Sequence, residues 1–162
     1  MTTTEQLWTE SYQGEVLGET LFRLLAERQQ DPEHRRQLEV LTLLERSTKE
    51  LAEPLLDQKG YDRGDTAATV AQATEVAASV ADLAWEQFLG SFEAVTKEFL
   101  AKYRRILELT ADESERQVAE AYVAHEQALC AFARRALGQE AGEPLAEILA
   151  LPHVAAAASA SA

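Results

Sequence analysis

The sequence predicts an all-α protein of four long amphipathic helices, linked short, long, short, with a brief helix near the C-terminus. Apolar residues recur three and four apart over stretches of about 25 residues, the period of a helix with one buried face. No run alternates with the period of a strand. With 162 residues, 46% apolar and 27% charged, the chain fits one domain with a substantial core.

The first helix is expected from about Thr4 to Gln30, on Leu7, Trp8, Tyr12, Val16, Leu21, Phe22 and Leu25. Asp31-Pro32-Glu33 stops it and starts the second, with Asp31 as N-cap and Pro32 in the first turn. The second runs to about Gln58 on Leu38, Leu41, Leu44, Leu51 and Leu55, kinks near Pro54 and ends at Gly60. Asp65-Thr66 then caps an Ala/Thr/Val-rich segment with few large side chains. Joined to the amphipathic stretch after it, this segment would make a helix of roughly 45 residues and about 68 Å, against about 40 Å for the first two. Residues 61–80 are therefore expected to form a crossover with a short helix, and the third long helix to run from about Ala81 to Leu109.

Thr110-Ala111-Asp112-Glu113-Ser114 supplies the next turn and cap. The fourth helix runs to Leu137 on Val118, Tyr122, His125, Leu129 and Phe132, and Gly138 closes it. Leu145 to Leu151 forms the short terminal helix, ended by Pro152. The domain is expected over residues 1–154, with 155–162 a flexible Ala/Ser tail.

Charge narrows the function. A net charge of −13, from 28 acidic and 15 basic side chains, is unsuited to nucleic acid or an anionic membrane. Arg104-Arg105 and Arg134-Arg135 lie at helix ends, where cations suit the helix dipole. A lone cysteine, Cys130, allows no internal disulfide and no Cys-x-x-Cys metal site. With no leader-like start and no apolar run of about 18 residues, a cytoplasmic location is expected. No nucleophile–base pair or phosphate-binding glycine loop is present.

The polar residues on the inward faces carry the chemistry. Leu41, Leu44, Thr48, Leu51 and Leu55 put Thr48 in a buried seam with Glu45 beside it, and the fourth helix does the same for Tyr122 and His125. Gly14 and Gly18 flank Glu15, each at roughly 1 kcal/mol relative to alanine, so a large group is expected to approach the backbone there. Glu15, Glu45 and His125 converging at mid-bundle would suit a hard or borderline metal. Glu19, Glu120 and Glu126 are expected to be solvated or paired helix-surface groups, and His34 and His153 surface residues.

Gln13-Gly14-Glu15 resembles the Ala-Gly-Glu of rubrerythrins and of the ubiquinone-biosynthesis hydroxylases, both ferritin-like di-iron proteins. Glu45-x-x-Thr48 and Tyr122-x-x-His125 resemble their two Glu-x-x-His motifs. The resemblance implies a ferritin-like four-helix bundle with Glu15, Glu45 and His125 as metal ligands. It also calls for a carboxylate on the third helix, with Glu86 and Glu93 as candidates and Glu93 favoured. Thr48 stands in place of one histidine and Tyr122 in place of one bridging glutamate.

Three uses are open to these residues. In the first, Glu15, Glu45, Glu93 and His125 hold one iron or manganese, with Tyr122 a further ligand, for redox or oxygen chemistry on a small substrate with an unknown electron donor. In the second no metal is bound, and Tyr122, Thr48, Glu45 and His125 form a buried network that sets helix register in a structural or interaction protein. In the third, a small organic ligand occupies the place of the metals. A homodimer through an exposed helix face is the expected assembly.

Overall fold

In the computed structural model, which describes residues 2–162, Thr3 opens the first helix with a reciprocal cap. Its hydroxyl accepts from the Gln6 amide at 3.1 Å while the Gln6 side chain accepts from the Thr3 amide at 2.9 Å. This helix, α1, spans Thr4–Arg28. Asp31 then accepts from the Glu33 and His34 amides, and α2 spans Pro32–Lys59. It ends at Gly60, whose φ of 68° is the left-handed turn that a side chain disfavours. Tyr12 donates to Glu53 at 3.0 Å and Arg46 to Glu19 at 2.8 Å, so α1 and α2 form an antiparallel hairpin.

A second hairpin pairs α5, Phe92–Leu109, with α6, Glu113–Ala136, across the turn capped by Asp112. The two hairpins close a ring in which α1 packs on α2 and α5, and α6 on α2 and α5. Lys102 meets Glu10 and Lys59 meets Asp112, so neighbours around the ring run antiparallel and α2 and α5 point the same way. Two parallel helices cannot be joined by a tight turn, which is why the connection from Gly60 to Ser91 is long. It contains α3, Thr66–Val80, lying along α1, and the short α4, Trp85–Gly90. The chain is all-α, with no strand among the described residues, and no helix among them is long and apolar enough to cross a membrane.

Two sequence expectations are corrected. The third long helix is not continuous from Ala81: residues 81–84 lie outside any helix and Ser91 breaks it again. Gly90 and Ser91 are poor helix residues, and the Ser91 hydroxyl donates to the Phe88 carbonyl at 2.7 Å. The second concerns Pro152. After α7, Ala146–Ala150, Pro152 sits at the start of a further helix, α8, Pro152–Ala160, instead of ending the structure. Val154 is fully buried there and α8 lies against α2.

The core has two apolar halves. One gathers Phe22, Leu41, Leu44, Phe92, Phe132 and Ile148; the other gathers Trp8, Leu55, Leu56, Tyr103, Ile106 and Tyr122. Burying each such side chain contributes about 1.5–3 kcal/mol. Between the halves, at mid-height, lies a layer of charged and polar side chains whose desolvation those contributions offset.

Candidate metal and ligand site

His125 is the hub of this layer, 1% exposed, with Glu15 at 2%, Glu126 at 4% and Glu45 at 5% around it. Each sits on the inward face of its helix: Glu15 follows Tyr12 on α1, Glu45 follows Leu41 and Leu44 on α2, and His125 follows Tyr122 on α6. His125 Nε2 lies 3.3 Å from Glu45 Oε1 and 3.9 Å from Glu126 Oε1, while Nδ1 is 3.5 Å from Glu15 Oε2. Glu15, Glu45 and His125 each offer a ligand atom within 4.8 Å of the others.

Two glycines make the room. A β-carbon on residue 14 would stand 2.8 Å from the Phe99 ring, and one on residue 18 would collide with the Glu45 carboxylate. The expectation that something large approaches α1 here is met by an aromatic ring and a charged group.

Thr48 sets the orientation of the hub. Its hydroxyl has one proton, which is donated to the Leu44 carbonyl at 2.9 Å. Its oxygen must therefore accept from both histidines that reach it, His125 Nδ1 at 2.9 Å and His153 Nε2 at 2.9 Å. Holding the proton on Nδ1 leaves Nε2 of His125 as the atom turned toward Glu45 and Glu126, in the way that an outer hydrogen bond orients a metal-binding imidazole.

The electrostatics are those of an acidic pocket with one cation. Burial opposes charge on His125, but the Glu15 and Glu45 carboxylates outweigh it and push the imidazole up to about 10. Burial raises the Glu15 carboxyl well above the ordinary range despite His125, and raises Glu126 to about 7. His153 is pushed down to about 4, by burial and then by the charge of His125. Tyr103 and Tyr122 are driven well upward by burial and by Glu15, so both remain phenols.

Glu15 Oε2, Glu126 Oε2 and the Tyr122 hydroxyl have no hydrogen-bond partner among the described residues. Tyr103 reaches Glu15 Oε1 at 3.5 Å and stacks edge-on against Tyr122 at 5.0 Å. Glu115, also buried, is different, because Trp8 donates to it at 2.8 Å and Thr110 also donates to it. It is a satisfied structural group.

Of the residues named from sequence, Glu15, Glu45, Thr48 and His125 are brought together, with Tyr122 buried beside them. Glu93 is not among them: it is exposed on the outer side of α5 and paired with Lys97 at 2.8 Å. Glu86 is exposed as well. On α5 the residue that reaches Glu15 is Tyr103. Glu126 and His153, expected at the surface, are corrected: one is a buried acid of the site and the other is bonded to Thr48. Glu19 is ion-paired, with Arg46 and Lys49, as expected.

A cavity of about 290 Å³ opens on this layer from the side of α3 and α5. Its inner end is formed by Glu15, Glu45, Glu126 and Tyr103, and its walls include Phe22, Phe88, Phe92, Phe99 and Val76. On the opposite side, His153 lines a wider surface groove of about 830 Å³ between α2 and α6. Comparison with known proteins finds no match to a family model, to a curated protein or to a solved structure.

Proposed function

We propose that the chain is a ferritin-like helical bundle that binds one divalent iron or manganese ion through Glu15, Glu45 and His125 and uses it in redox chemistry on a small molecule. The observation that carries this reading is the pair of buried carboxylates converging on one oriented imidazole, with Glu15 Oε2 lacking a hydrogen-bond partner. Two carboxylates and an imidazole suit these metals. The ring of antiparallel helices with one long crossover supports the ferritin-like assignment. Thr48 and Tyr122, at two positions where the family's motifs have metal ligands, favour one ion over two.

Bound there, the metal would supply a Lewis acid and a change of oxidation state. The chain's own residues do the rest. Glu15 and Glu45 balance a divalent charge. Thr48 keeps the proton on Nδ1 of His125, so that binding takes the imidazole's other proton, from Nε2, together with any proton that burial holds on Glu15. Tyr103 and Tyr122 close the layer on the Trp8 side and leave access through the apolar cavity.

A metal-free bundle is the second reading, favoured by one observation. His125 as an imidazolium already has Glu15 and Glu45 within 3.5 Å, so the layer can persist as an internal ion-pair network. Elemental analysis separates the two, on protein purified without chelators or a metal-binding tag and then incubated anaerobically with ferrous iron. Near-stoichiometric iron or manganese in the wild type, absent from His125→Ala, supports the metal site. A wild type that takes up neither metal leaves the structural network.

A further inference from the structure

The cavity that gives access to the metal site has the shape and polarity of a ligand site in its own right. Its volume of about 290 Å³ is roughly twice the ~150 Å³ of an apolar cavity that accepts benzene. Phe22, Phe88, Phe92 and Phe99 form much of its wall, and its rim reaches solvent at Val95, which is 49% exposed. All three charged groups at its inner end are carboxylates. One of them, Glu126, is 4% exposed and lines the cavity, and its Oε2 is buried without a hydrogen-bond partner. A buried acceptor without a donor is unfavourable by about 1–3 kcal/mol, more when charged.

We infer that this cavity binds a small hydrophobic amine, its ring or chain between the phenylalanines and its ammonium group donating to Glu126. The inference goes beyond the metal reading and is compatible with it. A divalent ion on Glu15, Glu45 and a neutral His125 is balanced, which leaves the formal charge of Glu126 for one ammonium. Without the ion, His125 lies 3.3 Å from Glu45 and 3.5 Å from Glu15 but 3.9 Å from Glu126, so an ammonium is again the donor that Glu126 lacks. A carboxylate ligand would be repelled, and a neutral alcohol would satisfy the acceptor but not the charge. Aromatic faces around an ammonium add cation–π attraction.

The test is calorimetric titration of chelator-treated protein with 2-naphthylmethylamine, 2-naphthylmethanol and 2-naphthoate, repeated with manganese added. The amine should bind at least tenfold more tightly than the alcohol, and the naphthoate should not bind. Glu126→Gln should bring the amine down to the affinity of the alcohol, and Val76→Phe, which fills the cavity from α3, should weaken both at least tenfold. Equal binding of amine and alcohol by the wild type, or no binding of either at millimolar concentration, would overturn the inference without recourse to any variant. Metal content measured on the same samples separates the two proposals. Selection of the amine by protein that takes up no metal keeps the ligand site and removes the metal, and metal-loaded protein that ignores the amine does the reverse.

Discussion

The Glu45 carboxylate occupies the space that a β-carbon on residue 18 would need: an alanine there would place its β-carbon 2.5 Å from Glu45 Cδ and closer still to Oε2. Glycine on α1 is thus what lets α2 aim an acid at His125. Gly18→Ala gains up to about 1 kcal/mol of helix propensity, and the flexible end of Glu45 can swing aside, so the fold should survive with a thermal midpoint near that of the wild type. Manganese affinity should nonetheless fall about 10–100-fold, the usual effect of displacing a group that orients or completes a metal site. Equilibrium dialysis reads this, and unchanged affinity would remove Glu45 from the ligand set.

Thr48→Val keeps the shape of the side chain but leaves His125 Nδ1 and His153 Nε2 without their common acceptor. The expected loss is about 1–3 kcal/mol in urea denaturation. Thr48→Ser, which retains the hydroxyl, should recover most of it, and equal losses in the two variants would show that the methyl group matters more than the bonds.

Glu126 predicts a pH dependence of stability. Its carboxyl is raised to about 7 in the folded protein, from 4.5. The folded state therefore holds the proton more tightly, and the contribution is fully present below pH 4.5 and lost as pH rises through 7. In chelator, Glu126→Gln should remove this slope and be more stable than the wild type above pH 7, by on the order of 3 kcal/mol. Parallel stability profiles of the two proteins between pH 4.5 and 7 would show that Glu126 does not feel its burial.

Ending the chain at Leu151 removes Val154, worth about 1.5–3 kcal/mol of burial, and the His153 bond to Thr48, worth about 1 kcal/mol. Ending it at Ala160 removes nothing buried. The first truncation should lower the thermal midpoint by many degrees and the second should leave it unchanged. A midpoint equally insensitive to both would mean that α8 adds nothing to the fold.

What could be read from the sequence was whatever a helical period exposes. Leu41, Leu44, Thr48 and Leu55, three, four and seven apart, do face the core, and the same period on α6 buries Tyr122, His125 and Phe132. Three features escaped it. Glu126 is one residue from His125, about 100° around the helix, and is buried because α6 packs on both α2 and α5; a single apolar stripe does not report a second neighbour. Glu93 is favoured by its distance to the fourth helix along an unbroken third one, and the break at Ser91 puts it in the first turn of α5, exposed and paired with Lys97. His153 lies in a segment with almost no large side chains, where periodicity has nothing to work on, yet Pro152 starts a helix and Val154 anchors it.

Glu15 and Glu45 belong to one helical hairpin, and His125 and Glu126 to the other. Neither hairpin holds more than half of the site, so the acidic pocket cannot exist until the two have docked. A cation or amine captured there therefore acts as a clasp between the two hairpins, across the α1–α5 and α2–α6 contacts that join them. Occupancy would slow the parting of the hairpins and raise the stability of the entire chain, by an amount that grows with the logarithm of ligand concentration.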